Sequence, residues 1–291
     1  MRPMARLALF LALVAVLWTI KNILLEQFHA LIMDRSSPYF LLIEESAEFA
    51  VVYAASLVLS RLERVPPRTY GLPLNRALGK LFWQGAAIGL CEISLLVGLI
   101  FAFGGYSAGS LALHGQRILY WALVWGAVFL FVALFEEFAF RGYLLHTLAQ
   151  SVGFWPAAII LALGFGILHR FNQGENLAGV AGVIAIALVF ALTLRRTGTL
   201  WLAVGWHAAY DFGETFLFSV PDSGGMFSHH LSNATLQGPI WLTGGTVGPE
   251  GSIFGFLLMG VLALVFHFLY PSQTPALGSA PVAAPPSASV D

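Results

Sequence analysis

Charge is what this chain has least of. Only 10% of its 291 residues are Asp, Glu, Lys or Arg, against about 25% in a soluble globular domain. Hydrophobic residues make up 58%, and the mean hydropathy is +0.80. This balance excludes an ordinary soluble fold and marks a polytopic membrane protein. The chain has one cysteine, Cys91, so an intrachain disulfide and a cysteine-built metal centre are both excluded. In its apolar setting Cys91 reads as a small packing residue. The net charge of −1 provides no basic field for nucleic acid. There is no His-Glu-x-x-His helix, no fixed-period repeat and no soluble domain.

What is abundant is apolar length. A spanning helix needs roughly 20 mostly apolar residues. Eight segments qualify, at about 5–25, 39–60, 81–104, 118–140, 154–170, 177–194, 199–216 and 252–270. The expected fold is an all-α transmembrane bundle of about eight helices, with residues 1–270 forming one integral-membrane domain. The first apolar run reaches about Leu25, longer than the roughly 7–15 residues of a signal-peptide core, and reads as a span. The fourth either continues to about 149 or breaks near Gly142. Pro156 suits the first turn of the fifth.

Basic residues set the orientation. Arg2 and Arg6, the loop holding Arg61, Arg64, Arg68, Arg76 and Lys80, and the pair Arg195-Arg196 fall on one side if both termini are cytoplasmic. The long connection from about 217 to 250 has no Lys or Arg. It is therefore placed outside, with His229-His230 in solvent. The tail at 271–291 is rich in Pro, Ala and Ser and is expected to be disordered. Trp18, Tyr39, Trp83, Trp155 and Trp201 read as interfacial belts.

Ionisable residues inside apolar spans are costly and are functional candidates by default. Three patches stand out. Glu136, Glu137 and Arg141 close the fourth apolar run; Glu137 and Arg141 are i,i+4 and share a face, leaving Glu136 free to face a cavity. His169 ends the fifth helix. His207 and Asp211 are again i,i+4, where a carboxylate can fix the imidazole tautomer. Each patch alone has a structural reading: a helix-end charge pair, an interface histidine, a buried polar pair. A glutamate and two histidines on separate helices are also the minimum for activating water. Glu44, Glu45 and Glu48 on helix two, Glu92 on helix three and Glu214 on helix seven are further polar residues in apolar runs. Glu44 and Glu48 share a face, read either as a cavity entrance or as a wetted interface.

The motifs Glu136-Glu137…Arg141, Phe165…His169 and His207…Asp211 resemble those of the CPBP (CAAX protease and bacteriocin-processing, or "Abi") family of intramembrane proteases. The resemblance covers about residues 118–216, and the stretch Trp241–Ser252 is similar to the C-terminal region of bacterial members. It implies a multi-pass endopeptidase of a bacterial inner membrane acting on a lipidated or membrane-associated peptide, with the lipid bilayer as its other partner and no nucleic acid. Glu136 and His169 would then activate water, His207 and Asp211 would support the oxyanion, and Glu137 and Arg141 would hold the site together. The prenyl-protease branch has Asn at the last motif position. Asp211 either stays protonated through burial or orients His207.

Two mechanisms are open at this level. Glu136, His169 and His207 suit a zinc set with a free water position, and a metal-free glutamate mechanism suits the same residues. Two other functions are also open: a non-enzymatic membrane factor such as a bacteriocin self-immunity protein, and a transporter with a carboxylate proton relay. The topology raises one conflict. Glu136 lies toward the cytoplasmic end of helix four and His169 toward the outer end of helix five, yet catalysis requires that they meet.

Overall fold

Helix ends follow local capping chemistry. The side chains of Ser37, Asn176 and Ser252 each accept hydrogen bonds from first-turn amides, pairing donors that a helix start leaves open. Gly198, with φ of 70°, stops one helix in the left-handed conformation. The computed structural model describes residues 2–32 and 37–270; the tail at 271–291 lies outside the described residues.

The helices are α1 (Pro3–Ile32), α2 (Pro38–Glu63), α3 (Lys80–Ala102), α4 (Gln116–Phe138), α5 (Leu145–Val152), α6 (Phe154–His169), α7 (Leu177–Thr197), α8 (Trp201–Phe212), α9 (Ile240–Thr243) and α10 (Ile253–Leu269). Every expected span coincides with a helix in this all-α bundle. Four of them, Pro3–Gln27, Lys80–Ala102, Gln116–Val152 and Leu177–Thr197, are long and apolar enough to cross a membrane. Two short strands, β1 (Tyr106–Ser107) and β2 (Thr235–Leu236), pair antiparallel and tie the α3–α4 loop to the loop before α9.

α4 does not stop at Phe138. It passes through a wide π-type turn at Ala139–Leu144, where Gly142 leaves helical geometry (ψ −113°), and continues as α5. Such bulges gather at functional sites, and this one begins two residues after Glu137. The chain reverses at Gly153, with φ of 87°. Glu136 lies 17 residues before that turn and His169 lies 16 after it. At 1.5 Å per residue both stand roughly 25 Å up their arms of the hairpin, which resolves the conflict in depth.

α8 is carried by α3. A Cβ on Gly205 would lie 2.0 Å from the Phe82 carbonyl, and Cβ atoms on Gly85 and Gly89 would lie 2.0 and 2.2 Å from the carbonyls of Leu202 and Trp206. The two backbones touch through glycine, the common solution for helices packing in lipid. Beside this contact the Trp206 indole N–H donates to Glu92 Oε2 at 2.6 Å.

Two expectations change. Cys91 is exposed on the bundle surface instead of packed, because on α3 it falls on the face away from α8. Trp201 is buried, its indole N–H donating to the Pro73 carbonyl at 3.0 Å; Trp18, Trp83 and Trp155 remain exposed. The 217–250 connection folds back over the helix ends. Phe227 packs on Trp125 at 5.5 Å and His229 stacks on Trp121 at 3.8 Å between ring centroids.

Candidate active site

The six polar residues singled out by their spacing come together where α4, α6 and α8 meet. Glu137 is fully buried, and its Oε1 accepts from Arg141 at 3.2 Å and from His207 Nδ1 at 3.1 Å. The guanidinium of Arg141 lies over the Phe165 ring, 4.7 Å from its centroid, so the phenylalanine one turn before His169 is a cation–π partner joining α6 to the π turn. Phe190, on α7, stacks on the His207 ring at 5.7 Å. Sequence reasoning gave no sign of that support, because α7 carries no acid or histidine.

His207 is held at both nitrogens. Because Nδ1–H donates to Glu137, Nε2 is left facing Asp211 Oδ2 at 3.2 Å and Glu136 Oε2 at 3.6 Å. A hydrogen on Nε2 serves Asp211 directly, so the ring is suited to carry both protons. Asp211 Oδ2 thus lies within hydrogen-bond reach of the His207 ring.

His169 presents its other nitrogen. Its Nδ1–H donates to the Phe165 carbonyl at 3.0 Å, which leaves the Nε2 lone pair toward Glu136 Oε1, 4.0 Å away. That gap is too long for a direct hydrogen bond. A water donating to both acceptors at about 2.8 Å each spans roughly 4–4.5 Å, so the pair is spaced to hold one and share its protons.

Glu136, His169, His207 and Asp211 face a cavity of about 360 Å³. Glu45, Trp125 and Phe129 line its far wall. A smaller, more apolar pocket of about 80 Å³ continues between α7 and α10, lined by Val183, Ile186 and Met259. Glu44 and Glu48 do not face the cavity: both pair with Lys21 of α1. Glu45, between them in sequence, does.

Zinc held by two histidines and a carboxylate needs three ligand atoms about 2 Å from one point. Among the described residues, the set of three His, Cys, Asp or Glu ligand atoms that converges within 4.8 Å is Glu214, Asp222 and Glu250. Glu136, His169 and His207 do not converge in this way, and His207 Nε2 is already engaged by Asp211. The trio does not fit a zinc site. The Glu214–Asp222–Glu250 cluster escaped the sequence reading because its members come from a helix end and two loops with no shared periodicity.

Residues 118–213 match the family model described as type II CAAX prenyl endopeptidase Rce1-like. That segment contains all six site residues and covers about a third of the chain. A further similarity is to lysostaphin resistance protein A of Staphylococcus haemolyticus (strain JCSC1435), 29% identical over 118 residues. It covers 38% of this chain and 32% of that relative, so the chain spans about a third of the length of the curated relative it matches. No solved structure matches significantly. Both matches support the CPBP assignment that the three motifs carry.

Proposed function

We propose that this CPBP-family chain is an intramembrane endopeptidase that hydrolyses a peptide bond of a lipidated or otherwise membrane-associated substrate, using water activated by Glu136 and His169. The observation that carries this reading is the 4.0 Å spacing of two hydrogen-bond acceptors at the wall of a cavity within the helix bundle. Glu136 takes the proton as water attacks the scissile carbonyl, and His169 shares that task. His207, held by Glu137 below and Asp211 beside it, shares its Nε2–H between Asp211 and the developing oxyanion. Glu136 then returns the proton to the leaving amine. The apolar pocket beside the site, at about 80 Å³, suits a small apolar side chain of the substrate. Eight spans with both termini cytoplasmic, in a bacterial inner membrane, complete the proposal.

The test is cleavage of a panel of membrane-anchored, prenylated and unmodified peptides by the purified protein in liposomes, with products identified by mass spectrometry. Defined fragments from wild type, lost in both Glu136→Gln and His169→Ala, are the expected result. Equal cleavage by wild type and both variants overturns the assignment of the site. The relative's name supports a second reading, a membrane factor that confers resistance without cleaving anything. In that case a resistance phenotype in cells survives Glu136→Gln.

A further inference from the structure

Beside the catalytic residues, three carboxyls meet with no base among them. Glu214 follows the C-terminus of α8, Asp222 lies in the loop after it, and Glu250 precedes α10. One oxygen from each lies within 4.8 Å of the others. Glu214 is 0% exposed, and neither of its carboxylate oxygens receives a hydrogen bond. Among the described residues no Lys, Arg or His forms an ion pair with any of the three. Asp222 accepts from the Thr215 hydroxyl at 3.2 Å, and Glu250 accepts from the Ser223 amide at 2.8 Å. Those bonds fix two carboxyls in place and leave Glu214 aimed into the cluster with no partner but the Glu250 carboxyl.

The surrounding backbone is folded tightly around this point. Gly248, with φ of 122°, packs so close to the 221–225 loop that a Cβ there would lie 2.1 Å from the Pro221 carbonyl and 3.3 Å from Glu214 Oε1. The chain thus converges three acids that stay apart at ordinary loop spacing. Buried carboxylates are paired or coordinate metals. Here the bases are missing and every donor is oxygen, the ligand set of a hard cation and not of zinc. Ca²⁺–oxygen bonds of about 2.3–2.6 Å allow ligand oxygens up to roughly 5 Å apart.

We infer that Glu214, Asp222 and Glu250 bind one hard divalent cation of the Ca²⁺ class, which pins the two loops to the end of α8 at the wall of the catalytic cavity. Asp222 and Glu250 line the same cavity as Glu136, so the ion orders the wall against which substrate lies. Burial raises the Asp222 carboxyl well above the usual carboxylate range, with the charges of Asp211 and Glu250 adding to the effect; a cation removes that penalty.

The experiment is equilibrium binding of ⁴⁵Ca²⁺ to the full-length protein in detergent after EGTA treatment, with thermal unfolding in parallel. Wild type is expected to bind one equivalent and to gain about 5 °C at a hundredfold excess over Kd. Asp222→Asn and Glu250→Gln lose both effects, while Glu136→Gln and His169→Ala keep them. Asp222 and Glu250 are only half-buried, so their variants report even if Glu214→Gln does not fold. No saturable binding by wild type means the cluster is held by shared protons and overturns the inference. Binding that survives both loop variants, or is lost in Glu136→Gln, also overturns it and places any ion elsewhere.

Discussion

Arg141→Leu is the perturbation whose cost can be worked most fully from the structure. Glu137 is 0% exposed and Arg141 4% exposed, and the Arg141–Glu137 bond is 3.2 Å. Removing the guanidinium leaves a buried carboxylate with one remaining partner, His207, and strips the cation from the Phe165 ring. Breaking one side of a buried pair costs about 3–5 kcal/mol, mostly the penalty of the stranded charge. For a chain of this size that lowers the unfolding temperature by about 10 °C. Adding Glu137→Gln to the variant removes the stranded charge. The double variant should therefore be more stable than the sum of the two single losses by about 1–3 kcal/mol. Thermal unfolding in detergent of wild type, both single variants and the double variant closes the cycle. Losses that add to within about 0.5 kcal/mol refute the pair as the element that holds α4 together at the π turn.

Further outcomes follow from the same contacts. Gly205→Ala places a methyl 2.0 Å from the Phe82 carbonyl, so α8 must move off α3. An overpacking cost of about 1–3 kcal/mol and loss of cleavage are expected together, because His207 and Asp211 ride on α8; wild-type stability and activity in this variant contradict the close approach. Glu92→Leu strands the buried Trp206 N–H and costs about 1–3 kcal/mol, whereas Glu92→Gln keeps an acceptor and is milder; thermal unfolding separates them, and equal losses rule out the hydrogen bond as the cause. In EGTA-treated protein, burial, with the Asp211 charge adding to it, raises Glu250 from 4.5 to about 7. The folded state then holds a proton that the unfolded chain has lost, so stability is full below about pH 4.5 and falls as pH rises through about 7. Unfolding temperatures at pH 5, 6, 7 and 8 check this, and a midpoint that climbs across that range contradicts it.

The candidate site was legible in the sequence wherever its pairings are local. Helical spacing puts Glu137 with Arg141 and His207 with Asp211, whatever the tertiary fold. The meeting of Glu136 with His169 was not legible, because it depends on α4 running on through the π turn to Gly153. Apolar content alone leaves that helix free to end earlier. Glu44 and Glu48 share a face as expected, but their partner Lys21 comes from another helix, and the cavity-facing acid is Glu45. The packing of the 217–250 connection was not legible, because its glycines and short polar runs carry no period. Its folding back, and with it the acidic cluster, is set by close backbone approaches that only the three-dimensional structure displays.

In the proposed mechanism Glu136 activates the attacking water. That role is tested most directly by kcat/KM of Glu136→Gln for a membrane-anchored peptide that wild type cleaves, in liposomes, with the unfolding temperature measured on the same preparation. The glutamine keeps the shape and removes the base. A fall of at least about 100-fold, the lower range for a positioned general base, with an unchanged unfolding temperature is the predicted result. Activity within about tenfold of wild type contradicts the account.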